Sequence, residues 1–402
     1  MQQETIELKG HIIDSMILPK VFDVIMDMGG EFDVLEFEIG KHKEEPSHTK
    51  ISVKAETRKK LDEILAELQK FGANISTIKE VKLVKIKKDG VAPENFYSTT
   101  NHKTFIKHKN EWVVVKRQKM DAVIVINDMN PECKTLGELK KGDMAVVGHN
   151  GIRIEPPERP RGNLGAFEFM SSSVSTEKPT GTLIKSVANE LKEIKKRGGK
   201  IAVVLGPAVI HTGASDAVSE MIRKNFINII LAGNAVAVHD IEYSLYGTSL
   251  GVKIKTGELA EHGHRNHLRA INKIRELGSI KNAVDSGVLK GGIMYEIIKH
   301  NIPFVLAGSI RDDGPLPEVV TDAIVAQKKM RDLLQDVDLV LMLSSTLHSI
   351  AVGNLLASRV KTICVDINPS VVTKLMDRGT AQVLGIVTDV GEFLPKLVKE
   401  LE

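Results

Sequence analysis

The chain has 402 residues, of which 42% are hydrophobic and 27% charged, with 32 Gly and 14 Pro. That composition excludes collagen-like, disordered and membrane-spanning classes. Lys and Arg total 55 against 52 Asp and Glu, and aromatics are only 4%, so neither a basic grip on nucleic acid nor stacking platforms for single strands is indicated.

At roughly 150 residues per domain the length predicts two or three domains. Cys133 and Cys364 show no C-x-x-C spacing and cannot by themselves form a four-ligand zinc site. No apolar run of about 18 residues occurs, and MQQETIELKG lacks the hydrophobic segment of a signal peptide. A soluble, cytoplasmic protein is expected.

Residues 1–90 read as β-α-β-β-α-β, a ferredoxin-like α+β order. ETIELKGHII is a strand, MILPKVFDVIMDMGG a helix, and EFDVLEFEIG and TKISVKAE are alternating strands. TRKKLDEILAELQKFG is an amphipathic helix capped by Thr57 and closed by Gly72. The run from Lys79 to Lys88 alternates Lys with Val, Leu and Ile and is predicted to be the last strand of this unit. Its lysines suit a solvated strand face, with an anion or nucleic-acid patch as the other reading. Over 91–165 the helical period disappears, and short runs such as MDAVIVIND and GDMAVVGHNGIRI predict a β-rich middle domain ending in the linker EPPERPRGNLG.

From 166 to 402 strand and helix alternate. KIAVVLG, INIILAG, IPFVLAG, VDLVLML, KTICVDI and QVLGIVT are continuous apolar strands, so an α/β domain with a doubly wound parallel sheet covered on both faces is predicted. Ligands of such sheets bind at the carboxyl ends of the strands. At those ends stand Ser344, Ser345 and Thr346, where hydroxyls and free N–H groups suit a pyrophosphate. Asp366 ends the next strand, where a carboxylate can accept from both ribose hydroxyls and disfavours a 2′-phosphate, pointing to NAD. Asp389 and Val390 open the last helix. Each polar residue alone reads first as a helix cap; it is their recurrence on consecutive strands that favours a dinucleotide. No Gly-x-Gly-x-x-Gly occurs at any strand end.

Asn234, His239, Asp240 and Glu242 lie just past a strand, where acid–base or amine-binding groups belong, with a polar helix start as the alternative. Arg311, Asp312 and Asp313 form another polar cluster, in which Arg311 can clamp a carboxylate. His262, His264 and His267 have an H-x-H-x-x-H spacing, for which anion contact or helix-start capping competes with metal binding; no metal site is assigned.

GAFEFMSSSVSTEKP, GPAVIHTGA, LAGNAVAVHDIEYSLYGTSLG, HGHRNHLRAINKIRELGSI, LAGSIRDDGPLP, LHSIAVGN and CVDINPSVVTKLMDRG together closely resemble the archaeal ornithine cyclodeaminase family, also known by its lysine-ketoglutarate reductase/saccharopine dehydrogenase conserved region. The resemblance extends through NFYSTTNH and KMDAVIVIND, and so over nearly the whole chain. It is similar to the C-terminal part of cyanobacterial bifunctional arginine dihydrolase/ornithine cyclodeaminases, with the dihydrolase half lacking.

The resemblance implies a C-terminal fold like the NAD-binding domain of deoxyhypusine synthase, and conversion of L-ornithine to L-proline and ammonia with NAD regenerated in each turnover. It implies NAD contacts at Asn234, Ala235, Asp313, Ser345, Thr346, Leu347, His348, Asp366, Asp389 and Val390. His211, His239, Asp240 and Glu242 are expected among the acid–base or amine-binding groups, and Arg311 on the substrate carboxylate. Asn95, Tyr97, Thr99 and Asn101 are expected to reach the site from the middle segment. A homo-oligomer taking a small amino-acid substrate, with no nucleic-acid or membrane partner, is expected. The competing readings are another NAD-dependent amine transformation, such as a lysine cyclodeaminase or dehydrogenase or a deoxyhypusine-synthase-like transferase, and a non-enzymatic NAD or amino-acid sensor.

Overall fold

A computed structural model describes residues 1–13, 15–42, 45–75, 79–155, 174–175, 180–261, 263–312, 314–377 and 383–402. The chain divides into two compact units, Met1–Leu164 and Gly165–Glu402. No described helix is long and apolar enough to cross a membrane.

The first unit begins with β1 (Gln2–Gly10), α1 (Ile17–Asp27), β2 (Glu31–Glu38), β3 (Ser47–Ala55), α2 (Arg58–Gln69) and β4 (Asn74–Ile75). These strands form an antiparallel sheet in the order β2-β3-β1-β4. Strand alternation turns Ile6, Leu8, Ile51 and Val53 into one core with Val21 and Ile25 of α1 and Leu61, Ile64 and Leu68 of α2. The Thr57 hydroxyl accepts from the Lys60 N–H and starts α2.

The lysine-striped segment does not close this sheet. The strand β5 (Lys82–Lys85) pairs antiparallel with a later strand, Met144–Val147, and the two-residue β4 takes the edge position instead. The reason lies in its apolar residues, which serve two cores. Val81 and Leu83 pack in one cluster, and Ile86 packs in another with Val123 and Ala145. A strand wanted on both faces fits a β-rich body better than the one-sided first sheet. That body continues with β6 (Lys103–His108), β7 (Glu111–Val114), β8 (Val123–Asn127), β9 (Asn130–Lys134), β10 (Met144–Val147) and β11 (Ile152–Glu155). They form sheets of order β5-β10-β8-β9 and β11-β6-β7.

The second unit contains β12 (Val174–Ser175), α3 (Thr180–Lys196), β13 (Ile201–Leu205), α4 (Ala208–His211), α5 (Ser215–Arg223), β14 (Ile229–Gly233) and α6 (Asn234–Tyr246). A small hairpin of β15 (Thr248–Ser249) and β16 (Val252–Lys253) follows, then α7 (Asn266–Leu277), α8 (Ile280–Asp285) and α9 (Ile293–Lys299). The chain ends with β17 (Phe304–Ala307), α10 (Ala323–Leu333), β18 (Leu339–Leu343), α11 (Leu347–Gly353), β19 (Lys361–Asp366), α12 (Pro369–Asp377), β20 (Val383–Val387) and α13 (Val390–Glu400).

Seven strands form one sheet, β12-β20-β19-β18-β13-β14-β17, and every pairing is parallel. Both faces are covered, because neighbours along one strand enter different cores. Ile201, Val203 and Leu205 join one cluster while Ala202 and Val204 join the other, and β18 repeats the pattern. The chain lays down β13, β14 and β17 in one direction, then returns to place β18, β19 and β20 on the other side of β13. The reversal falls between β13 and β18, and doubly wound sheets bind ligands at the carboxyl ends beside such a reversal.

Candidate active site

At the reversal the loops after β13 and β18 meet backbone to backbone. The Gly206 N–H donates to Leu343 O at 2.8 Å. A Cβ on Gly206 would lie 1.7 Å from Ser344 O, and Ser344 itself has φ +47°. Only glycine fits at 206, although the sequence reading did not single it out. At the end of β14 a Cβ on Gly233 would lie 2.6 Å from Cε1 of His348, so this imidazole covers the entrance to α6. Burial lowers the pKa of His348, with Asp312 pulling the other way.

The remaining rim residues sit at neighbouring strand ends. Asn234 opens α6, and its Oδ1 accepts from the Leu316 N–H at 3.1 Å, tying down the loop after β17. Ala235 is half-buried beside it. Ser345 is buried, whereas Thr346 and Leu347, at the start of α11, are exposed. Asp366 ends β19 at 9% exposure, with Oδ1 accepting from the Asn368 N–H at 2.8 Å. Asp389 caps α13 by accepting from the Gly391 N–H at 2.6 Å, and Val390 behind it is buried. Ile310, Leu347 and Ile367, which follow β17, β18 and β19, are 108%, 70% and 66% exposed. Asp313 and His262 lie outside the described residues.

A second polar cluster lies along α6. Glu242 is fully buried and takes four hydrogen bonds: from Thr248 Oγ1 (2.8 Å), Gly251 N–H (3.0 Å), Leu250 N–H (3.2 Å) and His239 Nδ1 (3.0 Å). Burial raises its pKa, but bonds from His239, Gly251 and Thr248 outweigh it and hold the carboxyl below the usual range. An ionised Glu242 fixes the proton of His239 on Nδ1 and leaves Nε2 as the basic nitrogen.

The ring of His211 lies 4.9 Å from that of His239, and that of His267 lies 6.4 Å from it. His211 Nδ1 is 2.7 Å from Ser249 Oγ, and burial together with His239 lowers its pKa. Asn266 donates to Thr248 Oγ1 at 3.0 Å and closes the network. Thr248, Ser249 and Asn266 were not singled out by the sequence reading. The signal was the Gly247–Gly251 bracket in YGTSLG: Gly247 at φ +70° ends α6, and a Cβ on Gly251 would meet Gly263 backbone at 2.6 Å. Among the described residues no group of His, Cys, Asp and Glu is arranged to hold a metal ion.

Three expectations change in detail. Asp240, expected among the acid–base groups, turns away from His239; its two oxygens accept from the Ile293 and Met294 N–H groups (2.9 and 2.8 Å) and cap α9. Burial pushes its carboxyl up to about 7, against those two bonds. Tyr97 and Thr99, expected at the site, serve the β-rich core instead: Tyr97 is 4% exposed, and the Thr99 hydroxyl bonds Lys119 O and the Ala122 N–H. Asn101 is buried, and Asn95 gives its carbonyl to the Gly148 N–H. Arg311 is exposed, and its guanidinium has no partner among the described residues.

Three family models cover most of the chain. "Arginine dihydrolase ArgZ-like, C-terminal, Rossmann fold" matches residues 185–397, "LOR/SDH bifunctional enzyme conserved region" matches 3–102, and the ArgZ-like C-terminal first region matches 103–184. The ornithine cyclodeaminase of Methanocaldococcus jannaschii is 60% identical over all of this chain and 97% of its own length. A solved LOR/SDH protein from Methanococcus maripaludis S2 is 54% identical with a TM-score of 0.75, over 82% of this chain and 98% of its own. The bifunctional arginine dihydrolase/ornithine cyclodeaminase AgrE of Nostoc sp. is 43% identical across the whole chain, which spans 58% of that enzyme. A ternary complex of AgrE with ornithine and NAD+ matches the whole chain and 57% of its own length, at 42% identity and a TM-score of 0.55. By identity over its full length and by its three matched regions, this chain belongs to the archaeal ornithine cyclodeaminase family.

Proposed function

We propose that the chain converts L-ornithine to L-proline and ammonia with bound NAD. The observation that carries this is full-length similarity to proteins of that name, including AgrE, whose solved complex holds both ornithine and NAD+. The rim suits a dinucleotide: the loops after β13 and β18 close on each other at Gly206 and Ser344, and Asp366 keeps Oδ2 clear of any protein bond among the described residues. When bound, NAD supplies a hydride acceptor at the start of turnover and a donor at its end, with no net redox change.

In this reading Asp366 receives the ribose hydroxyls, and Ser345, Thr346 and Asp389 lie along the phosphates. Asn234, Ala235, Asp313, Leu347, His348 and Val390 complete the cofactor site. Arg311 takes the substrate carboxylate through a guanidinium that is exposed. His239, oriented by Glu242, accepts a proton from the substrate amine at Nε2, and His211 stands beside it as the second proton carrier. Asp240 has no part in the chemistry, since both its oxygens hold α9.

We also read the C-terminal sheet as akin to the NAD-binding domain of deoxyhypusine synthase, supported by the absence of Gly-x-Gly-x-x-Gly after β13. A ferredoxin-like domain ending near residue 75, a β-rich domain that takes in β5 and runs to about 165, and a catalytic domain over 166–402 are proposed. Self-association and a cytoplasmic location follow from the family reading and are open to gel filtration and cell fractionation. The decisive assay incubates the protein with ornithine and substoichiometric NAD. Equal amounts of proline and ammonia, each exceeding the NAD added, are expected. NADH accumulation without proline would instead indicate a dehydrogenase, and faster turnover of lysine a different cyclodeaminase.

A further inference from the structure

A cavity of about 280 Å³ opens within the first unit, lined by Glu7, Gln69, Asn74, Trp112, His149 and Arg153 among others. It is built from five elements: β1, the end of α2, β4, β7 and β11. Its polar groups are incompletely satisfied. Gln69 is 2% exposed and donates through Nε2 to His149 O at 3.0 Å, which leaves its Oε1 buried without a partner. Asn74 Oδ1 and Arg153 Nε are likewise buried and, like Gln69 Oε1, unpartnered among the described residues. Native proteins rarely leave such atoms unpaired, so three around one cavity call for a group that supplies the missing bonds.

The chemistry of that group follows from the lining. The Arg153 guanidinium is held between rings, 4.5 Å from the Phe105 centroid and 4.8 Å from that of Trp112, and its Nη2 reaches Glu155 at 3.3 Å. Its Nε–H is thus a fixed donor for one anionic oxygen. Burial lowers the pKa of His149, which favours its neutral form and leaves Arg153 as the cation of the lining. On the acceptor side are Gln69 Oε1, Asn74 Oδ1 and the half-exposed Glu7 carboxylate, whose neighbour Lys50 bonds Glu36 at 2.8 Å and stands 3.9 Å from Glu7. Three acceptors facing one ammonium, and one cationic donor facing one carboxylate, match a zwitterion. The volume falls just below the roughly 300–1,000 Å³ of drug-sized sites, which favours a single small molecule over a nucleotide.

We propose that this cavity binds a free α-amino acid, with its ammonium toward Gln69, Asn74 and Glu7 and its carboxylate toward Arg153. Trp112 is the one tryptophan of the chain, so its emission reports the cavity directly. The full-length protein is titrated with L-ornithine, L-proline, L-arginine and L-glutamate, and with putrescine as an amine lacking a carboxylate. The expected result is a saturable change in Trp112 emission for at least one amino acid and none for putrescine. Half-saturation should rise at least tenfold in both Arg153→Met and Gln69→Leu, with far-UV circular dichroism unchanged. If one variant fails to fold, the other together with Asn74→Leu gives the same reading. No response up to 10 mM of any amino acid, an equal response to putrescine, or a response that survives in folded Arg153→Met would each overturn the proposal.

Discussion

The cluster along α6 and the rim of the parallel sheet use the same kinds of residue, yet the protein satisfies them to different degrees. Around Glu242 every acceptor position is taken, and the donors come from a helix neighbour, a hydroxyl and two loop N–H groups. At the rim, among the described residues, Asp366 uses one oxygen and Arg311 none of its guanidinium, and Ile310, Leu347 and Ile367 are exposed. A network closed by protein holds a base in one tautomer before substrate arrives. An edge left open is completed by what binds to it. The division predicts that cluster variants lose stability and turnover together, whereas rim variants lose ligand affinity alone.

The hardest test is Glu242→Ala, which strands four donors. A stability loss of about 3 kcal/mol or more in urea unfolding, with a fall in kcat of roughly 10²–10⁴, is expected; loss of turnover with native stability would break the comparison. Next comes the pH dependence set by Asp240, whose carboxyl sits at about 7 in the folded chain and near 3.9 when unfolded. Between those values the folded state binds the extra proton, so this group's contribution is largest at the acid end and falls as pH rises. The slope reaches at most about 1.4 kcal/mol per pH unit, and Asp240→Asn should flatten it in thermal melts from pH 4 to 7.

At the rim, Asp366→Ala should weaken NAD binding by about 1–3 kcal/mol in calorimetry, while the melting temperature without NAD barely moves. The smallest effect belongs to Leu347→Ser, which should cost NAD affinity under about 1 kcal/mol; an equal loss of stability would show that this side chain packs on protein.

Much of the second unit was legible because a buried parallel strand needs an unbroken apolar run, and VDLVLML and KTICVDI supply one to both faces of the sheet. Helix geometry also carried information the residue types hid. Positions 239 and 242 are three apart and share a face, whereas 240 and 242 are two apart and diverge, so Asp240 could not join Glu242. The strand Asn74–Ile75 was not legible, since two residues have no period to read. Nor were the bonds from Thr248, Leu250 and Gly251 to Glu242 and from Asn266 to Thr248, which depend on how a hairpin and a helix fold back rather than on any motif.

The strand order also bears on how the molecule is assembled. Ala202 pairs with Ile229 early in the chain, but its other edge waits for Val340. Until β18 arrives, β13 has an unpaired edge in a long-range, slowly closing topology. The point where Gly206 meets Ser344 therefore forms only when that late strand docks. A nascent or truncated chain stopping before residue 339 would expose β13 as a template for aggregation, and would have no carboxyl-edge crevice for a ligand to rescue.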